Sequence, residues 1–504
     1  METIGMHDLR KAVDEKYVGF RPESSSVKPV HIAMGVFKAI LGECYTADGI
    51  MRLSYVISAS GIIPKGNEFD SVKQMLNDNK SLDNSEIADW QLDEFRSFLQ
   101  KLISADNGVY PAKGKEMKKG MISYTAGSNY FVTPSGTNNI GIHEDAGVFI
   151  GGVIKSYCPT LGDYIAEILK STDDAISLAF EPVLSQGESV PFSDLFGHYK
   201  LSIFDSPNKN LRVFLSSVKE SGECLKNQLE THPNKLTQLR LFILFCIYEI
   251  VRYLSLLESF YNNGELRPIL LDFTSDKKGS VSQTSGLCYS QLHKAISRFY
   301  AWGFAQELKN RGIGKDELLQ TGVPVYDKNA DKKSKKYKKI IEELKPIWDI
   351  TKKNISLMDY DDALLEVGMS INDMIAIAAT SHPVNYMRKL GTESGMLYPP
   401  TNFHTDKRFI LAEDILESLL RCCVMPDEII TTSDLRNRLY NRLGVVIGGT
   451  EEDSIRLKNI GSIVYADTDA LTRNYELFSD MLQRMNFAEQ LPDGIMQIRF
   501  GGNK

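Results

Sequence analysis

Apolar positions recur at helical spacing along most of the chain. The run over 30–41 (VHIAMGVFKAIL) predicts a helix, and 47–58 a second. Within 83–102, Trp90, Leu92, Phe95, Phe98, Leu99 and Leu102 predict a third. Asn107-Gly108 then signals a turn, and 120–152, rich in Gly, Ser, Thr and β-branched residues, predicts strands and loops. Further helices are predicted over 161–171, 236–261, 289–310, 335–344 and 358–379, with one buried strand at 268–273. Glycines and prolines at Gly391, Gly395, Pro399 and Pro400 suggest a linker over 391–405.

The last hundred residues carry a more specific pattern. An apolar helix over 409–420 comes first. Thr432 or Ser433 then suits the N-cap of a second helix, because a hydroxyl there accepts from a free first-turn N–H. Leu435, Leu439 and Leu443 form its buried stripe, and Gly444 suits a left-handed stop. Leu471, Tyr475, Phe478, Leu482 and Met485 mark a third helix. Two short strands follow around Pro492-Asp493-Gly494. This order over 407–504, with its ITTSDL opening, resembles the winged-helix superfamily. The resemblance implies DNA binding or protein docking. One departure is the stretch 445–466, much longer than the roughly three- to four-residue turn of a minimal helix-turn-helix.

The N-terminal order of helices, turn and strands echoes this pattern and suggests a second winged-helix-like unit there. The expected fold class is mainly α with minor β: a multidomain helical scaffold with a C-terminal winged helix. The expected divisions are an N-terminal α+β domain over 1–155, a helical middle domain over 156–404 and a winged-helix domain over 405–504.

Charge narrows the function. The 504 residues carry a net charge of −7, which excludes a basic nucleic-acid coat and leaves only local patches. The strongest is the lysine run around Tyr337, with Lys332, Lys333, Lys335, Lys336, Lys338 and Lys339. A second holds Lys113, Lys115, Lys118 and Lys119, where an N-terminal wing would project. Arg436, Arg438 and Arg442 fall off the leucine stripe, and Arg473 and Arg484 off that of the third helix. Lys335, Lys336, Lys338, Lys339, Lys113, Lys115, Lys118, Lys119 and these five arginines are the candidate DNA contacts. Against them, residues 431–504 hold nine Lys/Arg and ten Asp/Glu, whereas phosphate neutralisation usually needs a basic excess.

Seven scattered cysteines without a C-x-x-C spacing suggest neither zinc ribbon nor disulfide framework, and point to a reducing, cytoplasmic setting. Residues 239–260 are the most apolar stretch, but Arg240, Glu249, Arg252 and Glu258 make a core helix the expectation rather than a membrane span. Residues 1–16 are polar and mixed in charge, so no signal peptide is expected.

No phosphate-binding loop, dinucleotide fingerprint, HExxH, EF-hand or G-x-S-x-G occurs. His143-Glu144-Asp145 reads as a polar turn, and His382 and His404 as surface histidines. Asp272, at the end of an apolar run, is the one strand-end carboxylate of the kind a nuclease-type site uses. No cofactor and no metal is expected. The whole chain resembles accessory subunits of prokaryotic mobile-element or antiviral defence systems. That implies a non-enzymatic DNA-binding or adaptor subunit, with double-stranded DNA and other protein subunits as partners. The alternatives are a divergent nuclease or hydrolase with its site in 120–280, and a purely structural protein–protein scaffold.

Overall fold

The computed structural model describes residues 4–23, 27–45, 121–122, 131–132, 145–171, 189–191, 208–261, 267–274, 276–327, 334–379, 382–401, 407–458, 466–492 and 496–500. These residues are mainly α with minor β, in fifteen helices and five small sheets. The expected helices over 47–58 and 83–102, the turn at 107–108 and the second winged-helix-like unit they suggested lie outside the described residues.

The chain divides into two compact units. One comprises 28–200 and 225–247. Its centre is α2 (Pro29–Leu41) packed on α3 (Asp145–Tyr157), followed by α4 (Pro159–Lys170). β1 (Glu43–Tyr45) pairs antiparallel with β4 (Ser189–Pro191), and β2 (Met121–Ile122) with β3 (Phe131–Val132). Residues 145–152 are helical, although their glycines predict strand or loop. The glycines serve helix packing instead. A Cβ on Gly147 would stand 2.2 Å from the Ile32 carbonyl oxygen, so only glycine lets α2 and α3 approach this closely.

The other unit comprises 1–27, 201–224 and 248–504. The helices α5 (Lys209–Glu230) and α6 (Lys235–Tyr261) are each divided between the two units. At its centre lies α7 (Ser280–Asn310). Against α7 packs α10 (Tyr360–Ala378), and against α10 packs α9 (Lys335–Ser356). The short α8 (Lys315–Gln320) precedes α9. Helix α9 runs through Pro346 to Ser356, well past the predicted end at 344. Proline costs an interior helix about 3 kcal/mol. The burial of Leu344, Trp348, Thr351 and Ile355 offsets that cost. At the N-terminus, α1 (Met6–Val13) runs into a π-helical turn, Asp14–Val18. Tyr300 Oη donates to the buried Asp14 carboxylate at 2.7 Å, and Tyr253 Oη to the Val18 carbonyl at 2.9 Å.

The apolar stretch 239–260 lies within α6 and is buried. Its Glu249 and Arg252 pair at 2.9 Å, and Arg252 also donates to Ser217. Among the described residues no single helix is long and apolar enough to cross a membrane.

Residues 391–405 do not read through as a linker. Helix α11 (Pro383–Glu393) occupies the start, and β6 (Leu397–Tyr398) pairs antiparallel with β7 (Arg408–Phe409). From there the chain forms α12 (Glu413–Arg421), β8 (Ile429–Thr431), α13 (Thr432–Leu443), β9 (Val445–Val446), α14 (Glu451–Lys458), α15 (Thr468–Arg484), β10 (Ala488–Gln490) and β11 (Met496–Arg499). β11 lies between β10 and β8, antiparallel to both. β9 pairs in parallel with β5 (Ile269–Leu270).

Candidate functional site

Helix α13 starts at a reciprocal cap. The Thr431 hydroxyl accepts from the Asp434 N–H at 3.1 Å, and the Asp434 carboxylate accepts from the Thr431 N–H at 3.2 Å. The cap is therefore one residue earlier than Thr432. Leu435, Leu439 and Leu443 are buried, and Gly444 closes the helix at φ 70°.

The three arginines off that stripe are committed inside the protein. Arg436 donates to the Gly448 carbonyl at 3.0 Å and lies over the Tyr475 ring, 4.6 Å from its centre. Arg438 forks onto Glu428, with Nη1 at 2.8 Å and Nη2 at 2.6 Å, and Nη1 also reaches the Cys423 carbonyl at 2.9 Å. Arg442 donates to the Cys422 carbonyl at 3.0 Å and faces Glu220 at 3.9 Å. Together Arg438 and Arg442 satisfy carbonyls just past the end of α12. The Arg438 fork holds the Glu428 carboxyl down to about 2, against the opposing effect of burial.

Helix α15 would be the groove-facing helix of a winged helix. Leu471, Asn474, Phe478 and Leu482 are buried. Asn474 uses its whole amide: Oδ1 accepts from the Phe273 N–H at 2.8 Å, and Nδ2 donates to the Leu271 carbonyl at 2.8 Å and the Ile447 carbonyl at 2.7 Å. Asn474 falls off the stripe of Leu471, Tyr475, Phe478, Leu482 and Met485, and its residue type alone gives no sign of which backbone it will satisfy. The solvent side of α15 presents Asp469, Arg473, Glu476, Asp480 and Arg484. Arg473 is paired there with Glu476 at 2.8 Å.

The lysine run opens α9. Ser334 caps the helix by accepting from the Tyr337 N–H at 3.1 Å. Lys335, Lys338 and Lys339 are exposed, with Lys339 3.9 Å from Glu343, and Lys336 lies on the same first turns. The second cluster, Lys113, Lys115, Lys118 and Lys119, lies outside the described residues, as do Lys332, Lys333, His143, Glu144 and His404.

Asp272 is a buried structural carboxylate. Its Oδ1 accepts from the Thr274 N–H at 2.9 Å and hydroxyl at 2.7 Å, while Oδ2 takes the Ser282 hydroxyl and pairs with Arg408 Nε at 3.0 Å. Three hydrogen bonds and one ion pair hold it in place. His382 is buried and not at the surface. It caps α11 by accepting from the Val384 N–H at 3.3 Å, its other ring nitrogen meets Asn372, and burial lowers its pKa to about 3. Among the described residues no group of three or more His, Cys, Asp or Glu is placed to hold a metal ion. No protein-family model, no characterised protein and no solved structure matches the chain.

Proposed function

We propose that residues 407–500 form a winged-helix module used for protein docking, and that the chain is a non-enzymatic adaptor subunit of a larger assembly. The winged-helix reading is supported by the order helix, strand, helix, helix, strand, strand with β11 between β10 and β8, the strand β9 and helix α14 being an insertion before α15. The observation that carries docking over DNA is the charge on α15. Its solvent side offers three carboxylates and two arginines, one of them paired. A helix entering a DNA groove needs cations free to displace counterions. The arginines of α13 are bonded internally and add none.

Helix α10 supports a protein partner. Leu365 and Met369, one helical turn apart, and Ile377 further along are each at least 40% exposed, and Leu357 at the preceding bend is 86% exposed. Scattered apolar residues on a surface are ordinary, whereas a stripe on one helix face suits a docking partner. The cytoplasm is the setting we favour, since the seven cysteines are scattered and none stands in a C-x-x-C pair. The prokaryotic defence assembly rests on the resemblance of the whole chain alone.

A second reading, non-specific DNA contact, is favoured by the lysines of α9. Cations at a helix N-terminus oppose the macrodipole by about 0.3–1 kcal/mol each, so helix stability does not account for them. Purification of the tagged chain from its own cells after nuclease treatment tests both. We expect a stoichiometric partner that is lost on Leu365→Glu with Met369→Glu. Any duplex affinity should be salt-steep, removed by changing Lys335, Lys336, Lys338 and Lys339 to Ala, and indifferent to Arg473→Glu with Arg484→Glu. A partner-free monomer whose duplex binding collapses on the arginine reversals overturns the docking reading.

A further inference from the structure

A cavity of about 580 Å³ opens beside the first half of α7. One wall is a single face of that helix, through Ser282, Gly286, Ser290 and His293. Lys407 and Arg408 at the start of β7 also line it, and Lys277 from the turn before α7 stands exposed at the rim. None of the ten described residues that line it is acidic.

The two inner cations are nearly sealed. Lys407 is 2% exposed and Arg408 5%. The Lys407 ammonium donates to the Thr401 carbonyl at 2.6 Å, the Thr392 hydroxyl at 3.1 Å and the Pro399 carbonyl, all neutral groups. Arg408 points Nε at Asp272 and lies 5.0 Å from the centre of the Tyr398 ring. Its terminal nitrogens donate to no described residue. Asp272 neutralises Arg408, and no carboxylate among the described residues pairs with Lys407. Burial lowers the Lys407 pKa, and Arg388 nearby lowers it further. An ion taken out of water without an opposite charge is among the most costly arrangements in a protein interior. Here Lys407 is such a cation, and with Arg408 it lines an open cavity with no carboxylate among its described lining residues.

We propose that this cavity binds a small organic phosphate, whose dianionic phosphoryl group sits between Lys277, Arg408 and Lys407. The Arg408 terminal nitrogens form a fork suited to two phosphoryl oxygens, and the exposed Lys277 ammonium reaches a third. Lys407, with all three N–H groups already used, acts as a fixed positive charge behind them. The volume exceeds that of a bare phosphate and falls in the range of small-molecule sites, about 300–1,000 Å³. Leu287 and Tyr289 supply apolar wall for the organic part.

Titration calorimetry on the full chain with AMP, inorganic phosphate and adenosine tests this. AMP is expected to bind saturably, inorganic phosphate more weakly and adenosine not at all. Lys277→Ala should weaken AMP about tenfold, the loss of one charge-assisted contact, and leave the unliganded melting temperature unchanged. Lys407→Met should abolish binding, since it removes the fixed positive charge behind the phosphoryl group. Should that variant not fold, Lys277→Glu at the exposed rim should abolish binding in an intact protein. The proposal is overturned if neither AMP nor inorganic phosphate saturates below about 1 mM, a free energy near −4 kcal/mol. It is equally overturned if adenosine binds as well as AMP, or if both Lys277 variants bind AMP like the wild type.

Discussion

Glu428 shows how much one side chain of the C-terminal segment carries. Its carboxylate accepts both terminal nitrogens of Arg438, and that arginine also reaches the Cys423 carbonyl. The pair holds the folded pKa at about 2, below the ordinary 4.5. The folded carboxyl therefore binds its proton less readily than the unfolded one. Its contribution to stability is full above the unfolded value and is lost as pH falls toward 2. Glu428→Gln should destabilise the protein by about 1–2 kcal/mol near neutral pH, discounted because both partners are partly solvated. The gap to wild type should narrow between about pH 5 and pH 3 in denaturant titrations. A gap that stays constant would sink this account. Sequence alone placed Arg436, Arg438 and Arg442 off the leucine stripe, and they are off it. It did not reveal that they turn back onto carbonyls, because an arginine's reach spans more than the helix face it starts from. The same blindness hid Lys407 and Arg408, whose neighbours come from α7 and β6 and not from adjacent positions in the chain.

Helices were legible where their period was uninterrupted and their ends were marked. Helices α6, α10, α13 and α15 lie within a few residues of the predicted spans, because leucine and aromatic stripes at 3.6-residue spacing have one structural meaning. Helices α3 and α9 were obscured by glycine and proline, whose local penalties are outweighed by packing that no single segment displays. The glycine of α10 makes the point quantitatively. A Cβ on Gly368 would stand 2.1 Å from the Ala301 carbonyl oxygen of α7, so the two helix backbones touch there. Gly368→Ala should force them apart and cost about 1–3 kcal/mol or more, against a helix-propensity gain near 1 kcal/mol. Gly322 is the control, since a Cβ there would meet nothing within 4 Å and its φ is ordinary. Gly322→Ala should be neutral, or stabilise by up to about 1 kcal/mol. Equal midpoints for the two variants in chemical denaturation would mean that α7 and α10 do not meet at this glycine.

Residues 407–504 read in sequence as a domain of their own, yet their hydrogen bonds run deep into the same compact unit as α7. Val445–Val446 forms a parallel pair with Ile269–Leu270. Asp272 N–H donates to the Phe409 carbonyl at 2.8 Å, Phe409 N–H to Ser285 at 2.9 Å, and Ala466 N–H to Thr284 at 2.9 Å. Asn474 closes the set on Leu271 and Phe273. Residues 407–504 made alone would lose all of these and expose Phe409, Val445, Val446 and Ile447, which are buried in the chain. Each such side chain contributes about 1.5–3 kcal/mol when buried. Their combined loss is comparable with the whole stability of a small domain, about 5–15 kcal/mol. We therefore expect the excised segment to give poorly dispersed amide resonances and a broad, non-cooperative melt. Co-expression with residues 1–406 as a separate chain should restore a stable complex, because the lost contacts are non-covalent. A sharp melt and a dispersed spectrum for the segment alone would show that its own small core suffices, and that the β5–β9 pair and Asn474 are incidental to its folding.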